Sequence, residues 1–321
     1  MDRRTLLGTL ASGLLTVPVA AHAQQAAKVY RLGCIDANGL IPEPFDQGLR
    51  GLGWVEGHNI VFERREAKTT AAVQQAAADL VRLRVDLIVV PSSGWAEQVR
   101  KETTTIPIVL LSAGELGSSG LVASLTHPGG NITGMQIYSP ELMGKRLQLL
   151  KSAIPQLSRV VVLRGTLYPP KLLSVYRQAT DDAARALGIA ARYVEFAGPE
   201  ALPAVFDNIA QMRDEAILIW ANPLATTHRA QILGLAQKYH LPSMGEHGLY
   251  RDALLVYGPK LSEVFRQAAT YVDQIFKGAK AGDLPIGQPT TFELFINLKT
   301  ARAIGLTIPP SLLQRADQVI E

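Results

Sequence analysis

The sequence predicts an α/β protein built as two similar doubly wound parallel-sheet lobes with a cleft between them. Three observations lead there. Apolar runs of strand length alternate with helical segments, the alternation occurs twice in the same order, and small polar loops follow the strands at their C-terminal ends. At 321 residues, 47% hydrophobic and 19% charged, the chain is also too long for one comfortable core, which again favours two lobes.

The first residues read as an address rather than structure. Asp2-Arg3-Arg4 is a short basic region, residues 5–20 are apolar but broken by Gly8, Gly13 and Pro18, and Ala21-His22-Ala23 fits an A-x-A cleavage pattern before Gln24. Residues 1–23 are therefore expected to be a signal peptide cleaved after Ala23, placing the mature chain in the periplasm. A retained membrane anchor is the other reading of a segment this short and interrupted. Arg3-Arg4 leaves general secretion and twin-arginine export both open. Removing the segment lowers the net charge from +4 to +3. No stretch of Lys or Arg is dense enough for a phosphate backbone, so no nucleic-acid partner is expected. A single cysteine, Cys34, rules out a disulfide framework within the chain. Arg31-Leu32-Gly33 puts a charge where a lipid-attachment signal wants an apolar residue, so a buried free thiol in a core strand is the better account.

The first series opens with a strand at residues 29–35 and a loop at 36–39. A helix at 44–52 ends at Gly53, and a strand follows at 60–63. Residues 70–84 form an alanine-rich helix with Val73, Ala76, Ala77, Leu80, Val81 and Leu83 at helical spacing. Residues 85–90 are an apolar run suited to a strand buried on both faces, stopped by Pro91-Ser92-Ser93-Gly94. A helix at 95–104 leads through Ile106-Pro107 to a strand at 108–111, the loop 112–115, the turn-rich His127-Pro128-Gly129-Gly130-Asn131, and a strand at 132–137 leaving the first lobe. The second series repeats this with helices at 142–154, 172–187, 199–212 and 226–240. Its strands are at 159–163, 191–196 and 216–220, and its loops at 164–170, 221–223 and 244–247. Residues 86–94 correspond to 215–223, and Ile106-Pro107 to Leu241-Pro242.

Open parallel sheets bind ligands outside the C-terminal ends of their strands, where a helix N-terminus offers unpaired N–H groups to an anion. Ser92, Ser93 and Gly94 sit at such a point and form one candidate wall of a site. The same serines are also good helix caps, and that reading stands beside the first. Enzyme signatures are missing. The glycines at 48, 51 and 53 do not make G-x-G-x-x-G, and neither a phosphate-binding G-x-x-x-x-G-K-[ST] nor a G-x-S-x-G occurs. His58, His127, His228, His240 and His247 show no metal spacing. Neither a catalytic residue, a cofactor nor a metal is expected.

Several stretches carry a more specific resemblance: residues 48–60 (Gly-Leu-Arg-Gly-Leu-Gly-Trp-Val-Glu-Gly-His-Asn-Ile), Thr105-Ile106-Pro107-Ile108-Val109, residues 120–125, Pro128-Gly129-Gly130-Asn131-Ile132-Thr133-Gly134, residues 268–273, and residues 292–301. Over residues 28–321 the chain resembles the ABC-transporter substrate-binding proteins of tryptophan and tyrosine type, with the type I periplasmic binding fold. The resemblance implies lobe one from residues 28–137 plus about 258–288, and lobe two from 138–257 plus about 289–321. It implies crossings near Tyr138, Tyr257 and Pro289, and a monomer that closes on a small ligand and is read by a permease in the inner membrane. A periplasmic sensor presenting its closed form to a receptor uses the same cleft and is the alternative.

The implied site is made of loops after several strands. On the first lobe these carry Asp36, Asn38, Ser92, Ser93, Gly94, Trp95, Ser112, Glu115, Gln136 and Tyr138. On the second they carry Arg164, Thr166, Tyr168, Asn222, Glu246 and His247. Ser92, Ser93 and the amides near Gly94 are assigned to a ligand carboxylate, Glu115 or Glu246 to an ammonium, and Asn222 to a donor or acceptor role. Trp95, Tyr138, Tyr168 and Trp220 are expected to flank an apolar ligand body or, alternatively, to pack in the core. The family often has Gly-Asp-Pro after its fourth strand and Asn-Pro after the first strand of lobe two. Here Gly114-Glu115-Leu116 and Arg164-Gly165-Thr166 stand instead. An arginine suits a second carboxylate or a phenolate, or else faces solvent at the cleft edge.

Overall fold

The computed structural model describes residues 28–36, 42–114, 116–117, 119–137, 140–166 and 170–321. The expected signal segment and the expected site residues Asn38, Glu115, Tyr138 and Tyr168 lie outside the described residues.

The first series forms β1 (Tyr30–Asp36), α1 (Glu43–Gly51), β2 (Ile60–Glu66), α2 (Thr70–Arg82), β3 (Leu87–Val90), α3 (Ser93–Glu102), β4 (Ile108–Ala113) and β5 (Ile132–Gln136). The strands pair in parallel in the order β2-β1-β3-β4-β5. A 3-10 turn at Pro140–Leu142 opens the second series. It contains α4 (Met143–Ala153), β6 (Arg159–Gly165), α5 (Pro170–Leu187), β7 (Ala190–Phe196), α6 (Leu202–Gln211), β8 (Ala216–Ile219), α7 (Pro223–Thr227), α8 (Arg229–Lys238), β9 (Ser243–Gly245) and β10 (Leu255–Pro259). Its parallel order, β7-β6-β8-β9-β10, is that of the first sheet element for element. Beyond β10 the chain returns to the first sheet as α9 (Leu261–Phe276), and then enters the second again as β11 (Phe292–Asn297). β11 runs antiparallel to β10 and is followed by α10 (Leu298–Ala303), α11 (Pro310–Leu313) and β12 (Gln318–Ile320), the last parallel to β11.

Local chemistry explains the elements. α2 starts where the Thr69 hydroxyl accepts from the Ala72 N–H, and it buries Val73, Ala76, Ala77 and Leu80, spaced three, four and seven residues apart along one face. β3 begins two residues later than its apolar run, because the Asp86 carboxylate is held by the Arg31 N–H at 2.7 Å and the Lys28 ammonium at 2.6 Å. The α9 face made of Val264, Ala268, Val272 and Ile275 closes the lower core of the first sheet over Leu32, Phe45, Leu49 and Val109. At Gly134, φ is +128°, and a Cβ there would overlap the Leu110 carbonyl. The β4–β5 ladder shifts register at this point.

Other boundaries depart from the sequence expectation for identifiable reasons. The helix expected at 226–240 begins at Pro223, capped by Asn222, and breaks at His228 into two. The helix expected at 199–212 opens as a 3-10 turn before α6, which carries Pro203 in its first turn. Met244 and Gly245, expected in a loop, pair with Leu255 and Val256 and belong to β9.

Candidate functional site

In a sheet ordered 2-1-3-4-5 the chain leaves the first and third strands toward opposite sides, which opens a crevice at their C-terminal ends. Each lobe has one such switch point. In the first lobe it lies between Asp36, the last residue of β1, and Ser92-Ser93 after β3. In the second it lies between Arg164–Thr166 at the end of β6 and Ala221-Asn222 after β8.

Among the described residues, those expected on the first lobe lie at the C-terminal ends of its strands and the loops that follow them. Ser92 precedes α3 in extended conformation, but its side chain makes no capping hydrogen bond, so the capping role expected as the alternative is not the one it plays. Ser93 and the exposed Gly94 open the helix, with Trp95 half-buried against the core beneath. Ser112, near the end of β4, donates to the Pro91 carbonyl at 3.1 Å and ties this loop to the previous one. Gln136 is 4% exposed, and its Oε1 accepts from the Leu116 N–H at 2.9 Å, fixing the loop that follows β4.

In the second lobe several expected ligand groups are already engaged. Asn222 accepts from the Ala225 N–H at 2.7 Å to cap α7, and its amide donates to the Gly165 and Thr166 carbonyls, each at 3.2 Å. It is thus the clasp between the loops after β6 and β8. Arg164 pairs with Glu195, directly opposite it in the β6–β7 ladder, rather than pointing into solvent. Trp220 is fully buried, 5.2 Å from the Tyr176 ring and 5.6 Å from Tyr193, so core packing is its role and it does not flank a ligand.

Glu246 differs most from expectation. It is 4% exposed; one carboxylate oxygen accepts from the Arg146 guanidinium at 2.7 Å and the other from the Ala221 N–H at 2.9 Å. Burial pushes its carboxyl up, while Arg146 and the Ala221 N–H pull it back down. Both oxygens are occupied, so it is a strut inside the lobe and not an open acceptor for an ammonium. Arg146 also donates to the Tyr257 carbonyl at 2.9 Å and the Glu246 carbonyl at 3.2 Å. Sequence reasoning missed this residue. The signal was available: Met143, Arg146, Leu147 and Leu150 make one buried helical face, and a charge on such a face demands a partner. His247, 7% exposed, has an Nδ1 that meets no partner, and burial together with Arg146 and Arg229 lowers its pKa to about 4, so it is neutral at pH 7.

A separate open groove of about 540 Å³ lies at the other, N-terminal ends of the first lobe's strands, beside Tyr30, Asp86, Pro107, Asn131 and Phe276. It shares no residue with the rims just described. No group of three metal-ligating side chains and no helix long and apolar enough to cross a membrane occurs among the described residues.

Residues 35–320 match the family model of the ABC transporter substrate binding protein. The chain belongs to that family. As a substrate-binding protein it is 22% identical over 270 residues, 82% of this chain and 75% of the other, to a tyrosine-binding protein from Clostridioides difficile strain R20291. The ABC domain from Streptococcus pneumonia, solved in complex with L-Trp, superimposes with a TM-score of 0.79 at 19% identity, covering 91% of this chain and all of that one. A conserved domain protein from Vibrio cholerae O1 biovar El Tor superimposes at 0.78 with 24% identity over 92% of this chain and all of its own. The fold of this substrate-binding protein is the type I periplasmic binding fold, two α/β lobes with parallel sheets.

Proposed function

We propose that the mature chain is a periplasmic monomer, cleaved after Ala23, that closes its lobes on a small carboxylate-bearing ligand with an aromatic or amino-acid-like body. It passes that ligand unchanged to an ABC permease in the inner membrane. One observation carries the ligand class: α3 starts at the first switch point with its Ser92 hydroxyl uncommitted, which leaves that hydroxyl and the first-turn N–H groups to a ligand carboxylate. A helix terminus contributes about 0.3–1 kcal/mol to such an anion, rising to about 2 when partly buried. A micromolar ligand requires about −8.2 kcal/mol in total, so the apolar body must supply most of the affinity. The L-Trp complex and the tyrosine-binding relative agree with an aromatic body.

Closure follows if the ligand touches both lobes, because only contacts that differ between open and closed forms shift their balance. Asp36, Ser112 and Gln136 shape the first rim, and Arg164, Thr166, Asn222 and His247 the second. The test is a thermal-shift screen of amino acids and aromatic acids against the mature chain, followed by Ser92→Ala and Arg164→Ala on each hit. Stabilisation by aromatic carboxylates that weakens in Ser92→Ala supports the proposal, and a flat screen sinks it. Loss of uptake in a deletion strain separates transport from sensing.

A further inference from the structure

Among the described residues of the second lobe's rim, the carboxylates of Glu195 and Glu246 are neutralised within the protein, by Arg164 and Arg146. Another carboxylate, Glu293, stands near the start of β11, where β10 and β11 run on past the last paired residue of β9. Among the described residues nothing donates a hydrogen bond or forms an ion pair with it. Lys260 and Arg251 act on it only at a distance, and Asp317 opposes them. Burial pushes its carboxyl up, as expected of a charge taken from water without a partner.

Two glycines lie beside this carboxylate. Gly258 lies directly across the ladder from Glu293, and the position of a Cβ on Gly248 is 3.5 Å from the Glu293 Oε1. His247, next to Gly248, adds a second polar group without a partner, the nine-tenths buried Nδ1. A half-buried carboxylate beside Gly248 and an unpartnered imidazole nitrogen on the residue before it are each costly unless something polar meets them.

We infer that Glu293 receives the ammonium group of an amino-acid ligand, with His247 beside it as a neutral polar contact. The inference rests on the amino-acid-like reading of the ligand proposed above. It adds a division of labour: the ligand carboxylate goes to the α3 terminus on one lobe and the ammonium to Glu293 on the other. A zwitterion then joins rims of complementary polarity, whereas a simple acid satisfies only the first.

The test is calorimetric binding of L-tryptophan and L-tyrosine, each beside its deaminated counterpart, indole-3-propionate or 3-(4-hydroxyphenyl)propionate, to the wild-type mature chain, Glu293→Gln and Glu293→Asp. The expected result is that Glu293→Gln loses tenfold or more in affinity for the amino acid and less than twofold for the deaminated acid, with Glu293→Asp between. Unchanged amino-acid affinity in Glu293→Gln, or equal loss for both compounds, overturns the inference. So does a wild type that prefers the deaminated acid, although the carboxylate-binding proposal survives that result. A wild type that binds none of the four overturns both.

Discussion

The guanidinium of Arg146 lies 2.7 Å from the carboxylate of Glu246, one hundred residues further along the chain, and its Nε reaches the carbonyl of Tyr257 at 2.9 Å. One side chain thereby joins α4, the loop after β9 and β10. Removing one member strands a buried charge, so Arg146→Met is expected to cost about 3–5 kcal/mol in urea denaturation. The double variant Arg146→Met, Glu246→Met should be more stable than the sum of the two single losses. Strict additivity would mean that the pair is not a unit.

His247 gives the fold an acid-sensitive contribution. Its pKa is near 6.5 when the chain is unfolded and is held down to about 4 in the native state. The native state therefore takes up this proton later than the unfolded chain. Its contribution is complete above pH 6.5 and is lost as the pH falls from there toward 4, on the order of 3 kcal/mol in all. Chemical denaturation at pH 7 and pH 4 should show the wild type losing about that much more stability than His247→Gln. Parallel losses in both proteins would place the acid sensitivity elsewhere.

Ser92→Ala should separate binding from stability. The hydroxyl makes no cap bond in the structure, so its loss is expected to shift the unfolding free energy by less than about 0.5 kcal/mol. Affinity for an aromatic carboxylate should fall roughly tenfold, equivalent to about 1.4 kcal/mol. A large drop in melting temperature with unchanged affinity would return the serine to a capping role.

Gly258 allows β10 to pass the loop after β9, since a Cβ there would overlap the Glu246 carbonyl and come within 3.4 Å of the Arg146 guanidinium. Gly258→Ala should push that loop out and destabilise the protein by about 1–3 kcal/mol or more. Combining it with Arg146→Met should cost less than the sum of the two, because both changes break the same contact. Wild-type stability in Gly258→Ala would show that the loop yields without cost.

Cys34 is buried in β1, and burial pushes its thiol well above the usual range. Iodoacetamide should label it only under unfolding conditions. Labelling of native protein at the rate of a free thiol would contradict the placement of β1.

The alternation of strands and helices was legible because it depends on local periodicity: Val160, Val161 and Val162 read as a buried strand wherever they lie in space. The doubled series was legible for the same reason, and both sheets share one strand order. The loops at the strand ends could be located in this way, but the use each polar group makes of its neighbours could not. Asn222 turned inward as a clasp and Trp220 joined the core, although both lie where ligand contacts were expected.

By itself the sequence determined the order of elements, the two-lobe plan and the strand ends at which the rims lie, because hydrophobic period and turn chemistry act over a few residues. Only the tertiary structure decided which rim charges are neutralised inside the protein. That choice depends on pairs far apart in the chain, such as Arg146 with Glu246, and on the return of β11 beside β10, which brings Glu293 to Gly248. A carboxylate's role is set by what folding places next to it, since burial makes an unpaired charge costly and a paired one structural.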